Sequence, residues 1–240
     1  MKFTQYYLDC LSQASYLIGD ESSGRAVVVD PRRDTDEYIR DAAEAGLTIE
    51  LIIETHFHAD FLSGHLELAA ATGAEIAFSS VAETEFSSRK LADGERIELG
   101  EIILEIRHTP GHTPGHVSVH IRSGGAEAFI TGDLVHHPVQ IHEPSWSSWP
   151  DDDAALAAST RQRVFEGLAD SDVLVLGTHF SAPAGGEAGL LGHGPAKYRL
   201  DPAWAKVDPA VAPIVNAHAL AEGKDGRIFL VTDHPKNDFL

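Results

Sequence analysis

Two histidines and an aspartate at alternating positions, His56, His58 and Asp60, follow directly on an apolar run, Leu51-Ile52-Ile53. Imidazole nitrogens and carboxylate oxygens are ligands that suit zinc, iron or manganese. The apolar run reads as a buried strand, and side chains at i, i+2 and i+4 leaving its end can converge on one point. A merely solvated turn has no need of three such groups, so Glu54 to Phe61 is a candidate metal site. The same arrangement recurs. Ala128 to Thr131 runs into Gly132-Asp133, and Val173-Leu174-Val175-Leu176 runs into Gly177-Thr178-His179. A loop punctuated by Pro and Gly, His108 to His116, carries His112 between two other histidines.

The elements that must position these groups are legible as a series. Tyr16 to Ile18 and Ala26 to Asp30 read as strands around a turn at Asp20 to Gly24. Asp36 to Ala45 reads as a helix that Thr35 or Asp36 could cap and Gly46 would stop. A strand over Thr48 to Thr55 delivers His56, and a helix over Ser63 to Thr72 ends at Gly73. The candidate motif therefore sits in a strand-to-helix loop, where functional residues concentrate. Ala74 to Ser79, Arg96 to Leu99, Ile102 to Arg107, Val117 to Ile121 and Ala128 to Thr131 follow as strands, with Ser87 to Gly94 as loop. Asp151 to Leu168 reads as an Ala-rich helix whose acidic first turn complements the helix dipole. A last strand is expected over Arg227 to Thr232.

Composition narrows the setting. With 240 residues and 43% apolar content the chain can bury a core, and it is read as one domain, 1–240, with 181–240 unassigned. A net charge of −19 argues against nucleic acid and anionic membrane surfaces as partners. One cysteine, Cys10, excludes an internal disulfide framework and a Cys-based zinc site, and it is expected to be buried or half-buried. The N-terminus lacks the apolar run of a signal peptide and no stretch reaches membrane-spanning length, so a cytoplasmic location is expected. A small-molecule substrate is the expected partner, and a homodimer rests on base rates.

Together these residues resemble the metallo-β-lactamase superfamily, whose pattern is His-x-His-x-Asp-His, a distant His, a distant Asp and a final His. Here they stand as His56, His58, Asp60, Phe61, His112, Asp133 and His179. The resemblance covers roughly the first 180 residues and implies an α/β fold, the four-layer αβ/βα sandwich. Thr55 to His65 resembles persulfide dioxygenases. Thr131 to Gln140 and Gly177 to Phe180 resemble the hydrolase branch, with its methyl-parathion-hydrolase-like and lactonase-like enzymes.

In the hydrolase reading, which the segment after Asp133 favours, the resemblance assigns His56, His58 and His112 to one metal. It assigns Asp60 and His179 to a second, with Asp133 bridging. One or two divalent ions, zinc first among them, would then supply a metal-bound hydroxide to attack an ester, lactone or phosphotriester. Asp60 would orient it and carry a proton to the leaving group. Phe61 departs from the pattern, because a phenyl ring cannot coordinate. His65, one helical turn on, could substitute or simply pack locally. In the dioxygenase reading, a single iron is held by His56, His112 and Asp133, and His58 and Asp60 orient those ligands. The substrate there is a persulfide of glutathione type. The Gly-Arg-x-Asp segment that follows the metal aspartate in those enzymes is missing here. A third reading is an inactive or recombined metal-binding scaffold.

Other candidates carry plainer alternatives. His136 and His137 could line a substrate pocket or be ordinary loop residues. Trp146, Trp149 and Phe180 could form an apolar wall near the metals or be plain packing. His142 could belong to the same lid. His108 and His116 read as loop and strand residues, and His193, His218 and His234 as surface residues.

Overall fold

The structure is a computed structural model that describes residues 1–8, 10–169 and 171–180, together with the backbone of Gly185–Glu187, Ala217–Glu222 and Ile228–Thr232. Strands β1 (Lys2–Leu8), β2 (Gln13–Asp20), β3 (Arg25–Val29), β4 (Thr48–Ile53), β5 (Glu75–Ser79) and β6 (Arg89–Leu91) form one sheet in that order. It is antiparallel through the β1–β2–β3 meander and parallel from β3 to β6. Helices α1 (Asp36–Glu44) and α2 (His65–Thr72) make the parallel crossovers. The second sheet runs β7 (Arg96–Leu99), β8 (Ile102–His108), β9 (Val117–Ser123), β10 (Ala126–Ile130), β11 (Leu174–Leu176) and β12 (Gly185–Glu187). A short helix α3 (Val139–His142) and the long α4 (Ala154–Leu168) lie between β10 and β11. Strands β13 (Ala217–Glu222) and β14 (Ile228–Thr232) pair separately.

Period-two alternation explains the layering. Tyr16, Ile18, Val27, Val29, Leu51 and Ile53 share one core cluster with Leu104, Ile106, Val117 and Val119 of the second sheet. The intervening Leu17, Val28 and Ile52 face the other way, onto Tyr38 and Ala42 of α1 and Leu68 of α2. The first sheet is thus apolar on both faces, as strands covered on both sides must be. Phe165 of α4, flanked by Val164 and Leu168, joins the inter-sheet cluster from the other side. The result is the expected four-layer α/β sandwich.

Some boundaries differ from expectation. Strand β1 carries no clean alternation, because it is a half-buried edge strand. Strand β6 falls in the stretch read as loop; its three residues borrow their pairing from β5. Helix α4 begins at Ala154 because Asp153 caps it, its carboxylate accepting from Leu156 N at 2.9 Å. Cys10 is exposed rather than buried, since it sits in the turn between β1 and β2. His193 and His234, and the side chain of His218, lie outside the described residues. No helix among the described residues is long and apolar enough to cross a membrane.

Candidate metal centre

The candidate ligands come from the ends of strands in both sheets. His56 follows β4, His112 lies in the β8–β9 loop, Asp133 sits in the turn after β10 and His179 follows β11. The sheets are stitched together here: Val117 N donates to Thr55 O at 2.8 Å, and Ala14 N to Thr178 O at 2.9 Å. Four imidazoles then face one carboxylate oxygen. Nε2 of His56, His112 and His136 each lies 3.5 Å from Asp133 Oδ2, and Nε2 of His179 lies 3.2 Å from it. Asp133 is buried, and burial would raise its pKa; His56, His136 and His179 outweigh that and hold it well below the carboxylate range. Its Oδ1 has no hydrogen-bond partner among the described residues.

The far side of two of these rings, His56 and His179, is already committed. Thr55 Oγ1 donates to Asp30 Oδ2 at 2.8 Å and so accepts from His56 Nδ1 at 2.9 Å. His179 Nδ1 donates to Ser12 O at 2.9 Å, from a turn in which Ser12 has φ +48°. His56 therefore presents an unprotonated Nε2 toward Asp133, the state a metal requires. Burial pushes His56 below the usual histidine range. Burial would do the same to His179, but Asp133, Asp60 and the Ser12 carbonyl raise it.

His116 is the support beneath. It is fully buried, and its Nε2 accepts from Asp133 N at 2.9 Å. Its Nδ1 donates to Thr109 Oγ1, which passes a hydrogen bond to Ser118 Oγ and on to Thr131 O. Burial keeps this ring neutral, with a pKa well below the ordinary value. Gly132, at φ +55°, leaves room for it: a Cβ there would stand 2.7 Å from His116 Nε2.

Other expected residues stand elsewhere. His58, expected beside His56 and His112, keeps its ring against that of His56, with centroids 4.2 Å apart, but two buried carboxylates claim its Nε2. Its Nε2 lies 3.0 Å from Asp30 Oδ1 and 3.2 Å from Glu54 Oε2. Burial would lower its pKa, but Asp30 and Glu54 raise it well above the ordinary value. Asp60 is partly exposed, 3.7 Å from His179 Nε2. Phe61 packs on the His58 ring with centroids 4.4 Å apart. His65 sits against Glu54 and Phe86, away from the Asp133 cluster. His136 stacks on His179, with centroids 5.4 Å apart and planes 12° from parallel.

His137 instead turns inward locally, its Nδ1 accepting from Val139 N. Phe180, expected as a pocket wall, is buried in the inter-sheet core. Trp149 is 74% exposed, and the Trp146 carbonyl serves Gln140 and Arg161. The apolar pocket beside His56 has a different lining. Its volume is about 410 Å³ and its wall is Phe57, Phe61, Leu62, Leu66 and Phe78.

Four residues that carry the site were not singled out by type or spacing. Asp30 accepts from Thr55 N, Thr55 Oγ1 and His58 at once. Glu54 takes His58 and Ser63. Asp151 and Arg161 form a fully buried ion pair at 3.2 Å. Asp30 and Glu54 each abut a strand end, a signal visible in the sequence; the buried pairing of Asp151 with Arg161 is not.

The residues present fit a metal. His56, His112 and Asp133 bring one ligand atom each to within 4.8 Å of one another, and so do Asp133, His136 and His179. Imidazole nitrogens facing a carboxylate with an unpartnered oxygen are a ligand set.

Comparison with known proteins gives the family and its relatives. The profile of the Metallo-beta-lactamase superfamily matches residues 8–179. A hydroxyacylglutathione hydrolase of Erythrobacter litoralis is 34% identical over 128 residues, 52% of this chain and 50% of that protein. The mitochondrial persulfide dioxygenase ETHE1 of Bos taurus is 36% identical over 124 residues, 48% of each chain. The chain spans about half the length of these curated relatives. The crystal structure of ETHE1 from Myxococcus xanthus superposes with a TM-score of 0.66 at 25% identity, covering 78% of this chain and 80% of that one.

Proposed function

Because the chain belongs to the metallo-beta-lactamase superfamily, we propose that it is a metal-dependent enzyme with one iron ion held by His56, His112 and Asp133, acting on a small persulfide with dioxygen. The observation that carries this reading is that the cluster of His56, His112 and Asp133 closes without His58. The Nε2 of His58 is held by Asp30 and Glu54, and Phe61 has no ligand atom. Two residues of the two-metal pattern are thus outside this cluster. What remains is two histidines and one carboxylate, the facial set of non-haem iron oxygenases.

Iron bound there would leave open positions for dioxygen and for a sulfur substrate, and would relay electrons from the sulfur, which is oxidised, to the dioxygen, which is reduced. The chain's own part is to hold and orient. Thr55 keeps His56 in the tautomer that presents Nε2, and His116 fixes the Asp133 backbone. His136 and His179 stack side by side over Asp133, and His179 Nδ1 keeps its proton on Ser12 O. The pocket walled by Phe57, Phe61 and Leu66 offers apolar contact beside His56. Similarity to persulfide dioxygenases supports the substrate class.

A second reading, hydrolysis of a thioester, ester or lactone, is favoured by a different observation. Asp133, His136 and His179, with Asp60 beside them, could hold a second ion next to the first, and similarity to hydroxyacylglutathione hydrolase points the same way. Oxygen-electrode assays separate the two. Oxygen uptake and sulfite release on glutathione persulfide, with no thiol release from a hydroxyacylglutathione, are expected. Thioester or lactone cleavage without oxygen uptake would reverse the order.

A further inference from the structure

The loop that enters α4 grips the loop that carries His112. Asp152 N donates to His112 O at 3.0 Å and Asp153 N to Gly111 O at 2.9 Å. Gly111 permits this approach, since a Cβ there would lie 2.3 Å from the Ala157 backbone. The Asp151 side chain is fully buried in the same place. Its Oδ2 accepts from Arg161 Nη1 and from Ser148 N, both at 3.2 Å. Its Oδ1 lies 3.4 Å from His112 Nδ1, and neither atom has a hydrogen-bond partner among the described residues. Arg161, itself fully buried, also donates to Leu134 O, next to Asp133, and to Pro144 O and Trp146 O.

We propose that Asp151, anchored by Arg161, is a positioning residue for the metal ligand His112: its Oδ1 accepts a hydrogen bond from Nδ1–H and so turns the Nε2 lone pair toward Asp133. Neutralising Arg161 would need only Oδ2. The second oxygen is placed against a ligand nitrogen that no other group serves. Closing the gap by a few tenths of an ångström makes an ordinary hydrogen bond. Carboxylates behind metal-binding histidines fix both the tautomer and the ring direction. Arg161 also reaches Leu134 O, so one guanidinium ties the His112 and Asp133 loops together. The proposal rests on His112 being a ligand and holds for one metal or two.

The test uses the full chain and three measurements. His112→Ala must lose most metal affinity; native affinity there would overturn the ligand reading itself, separately from the role of Asp151. In D151N, metal affinity per folded molecule, titrated with Co²⁺, should fall about 10–100-fold with a changed cobalt absorption spectrum. Removing one partner of a buried pair can unfold a protein, so D151N/R161Q, which removes both charges, is measured alongside and should show the same loss. Native affinity and spectrum in either folded variant would overturn the proposal. Nitrogen-15 NMR of the unmutated zinc-loaded protein should show His112 protonated at Nδ1; an unprotonated Nδ1 would overturn it even if neither variant folds.

Discussion

The Nε2 of His58 lies 3.0 Å from the Oδ1 of Asp30, and that contact separates His58 from the metal centre its spacing would assign it to. Asp30 is fully buried at φ +49°, a left-handed conformation that Asp tolerates better than most residues. Through Thr55 the same carboxylate sets the tautomer of His56. One buried acid therefore withdraws one histidine of the pair and aims the other.

Substituting the two histidines should then give opposite results. His58→Ala leaves the buried Asp30 and Glu54 without their imidazole partner, and stability of the metal-free protein should fall by about 3–5 kcal/mol. Its metal affinity should drop far less than that of His56→Ala, which removes a ligand. Urea titration and metal titration of both variants check this. A His58→Ala protein that is fully stable but cannot bind metal would contradict it.

Two glycines should behave as parts of the site. In Gly132→Ala the new methyl meets His116 Nε2 at 2.7 Å, at a φ of +55°. In Gly111→Ala it meets the Ala157 backbone at 2.3 Å, at a φ of +131°. Each should lower metal affinity at least about tenfold, by displacing Asp133 or His112 from its support. Gly73→Ala is the control for positive φ alone. Gly73 also has positive φ, at +78°, with nothing within 4 Å of an added Cβ; that substitution should lower the melting temperature but spare metal binding.

Asp20 gives a pH dependence away from the centre. Hydrogen bonds from Ser22 and Ser23 pull its carboxyl down to about 2. A group with a depressed folded-state pKa adds stability that is full above its unfolded pKa and is lost as pH falls through the folded one. Asp20→Asn should therefore be less stable than the unmutated protein at pH 6, and the difference should shrink between about pH 4 and pH 2. Chemical denaturation across that range reads it. A difference that persists unchanged at pH 2 would contradict the assignment.

Much of the fold was legible because the strands are short apolar runs punctuated by glycine. Val27 to Val29 and Leu51 to Ile53 are apolar on both faces, and only a sheet covered on both sides has that need. The convergence of His56, His112, Asp133 and His179 was also legible, since each ends a strand or sits in a Pro/Gly loop. Spacing could not show which way a ring turns. His58 is set by Asp30, 28 positions away, and Asp151 faces His112 across 39 positions, numbers that no local pattern contains. For Phe180 the sequence left two readings open. An aromatic next to His179 reads as a pocket wall or as plain packing, and it is buried in the inter-sheet core.

Metal content per chain tests the central claim most directly. The protein is purified without oxygen, reconstituted with iron and with zinc separately, freed of excess and measured by elemental analysis. The account predicts about one ion per chain with either metal, retained in His58→Ala and lost in His56→Ala. About two ions per chain, with His58→Ala reducing the count, would contradict it and restore His58 to a two-metal centre.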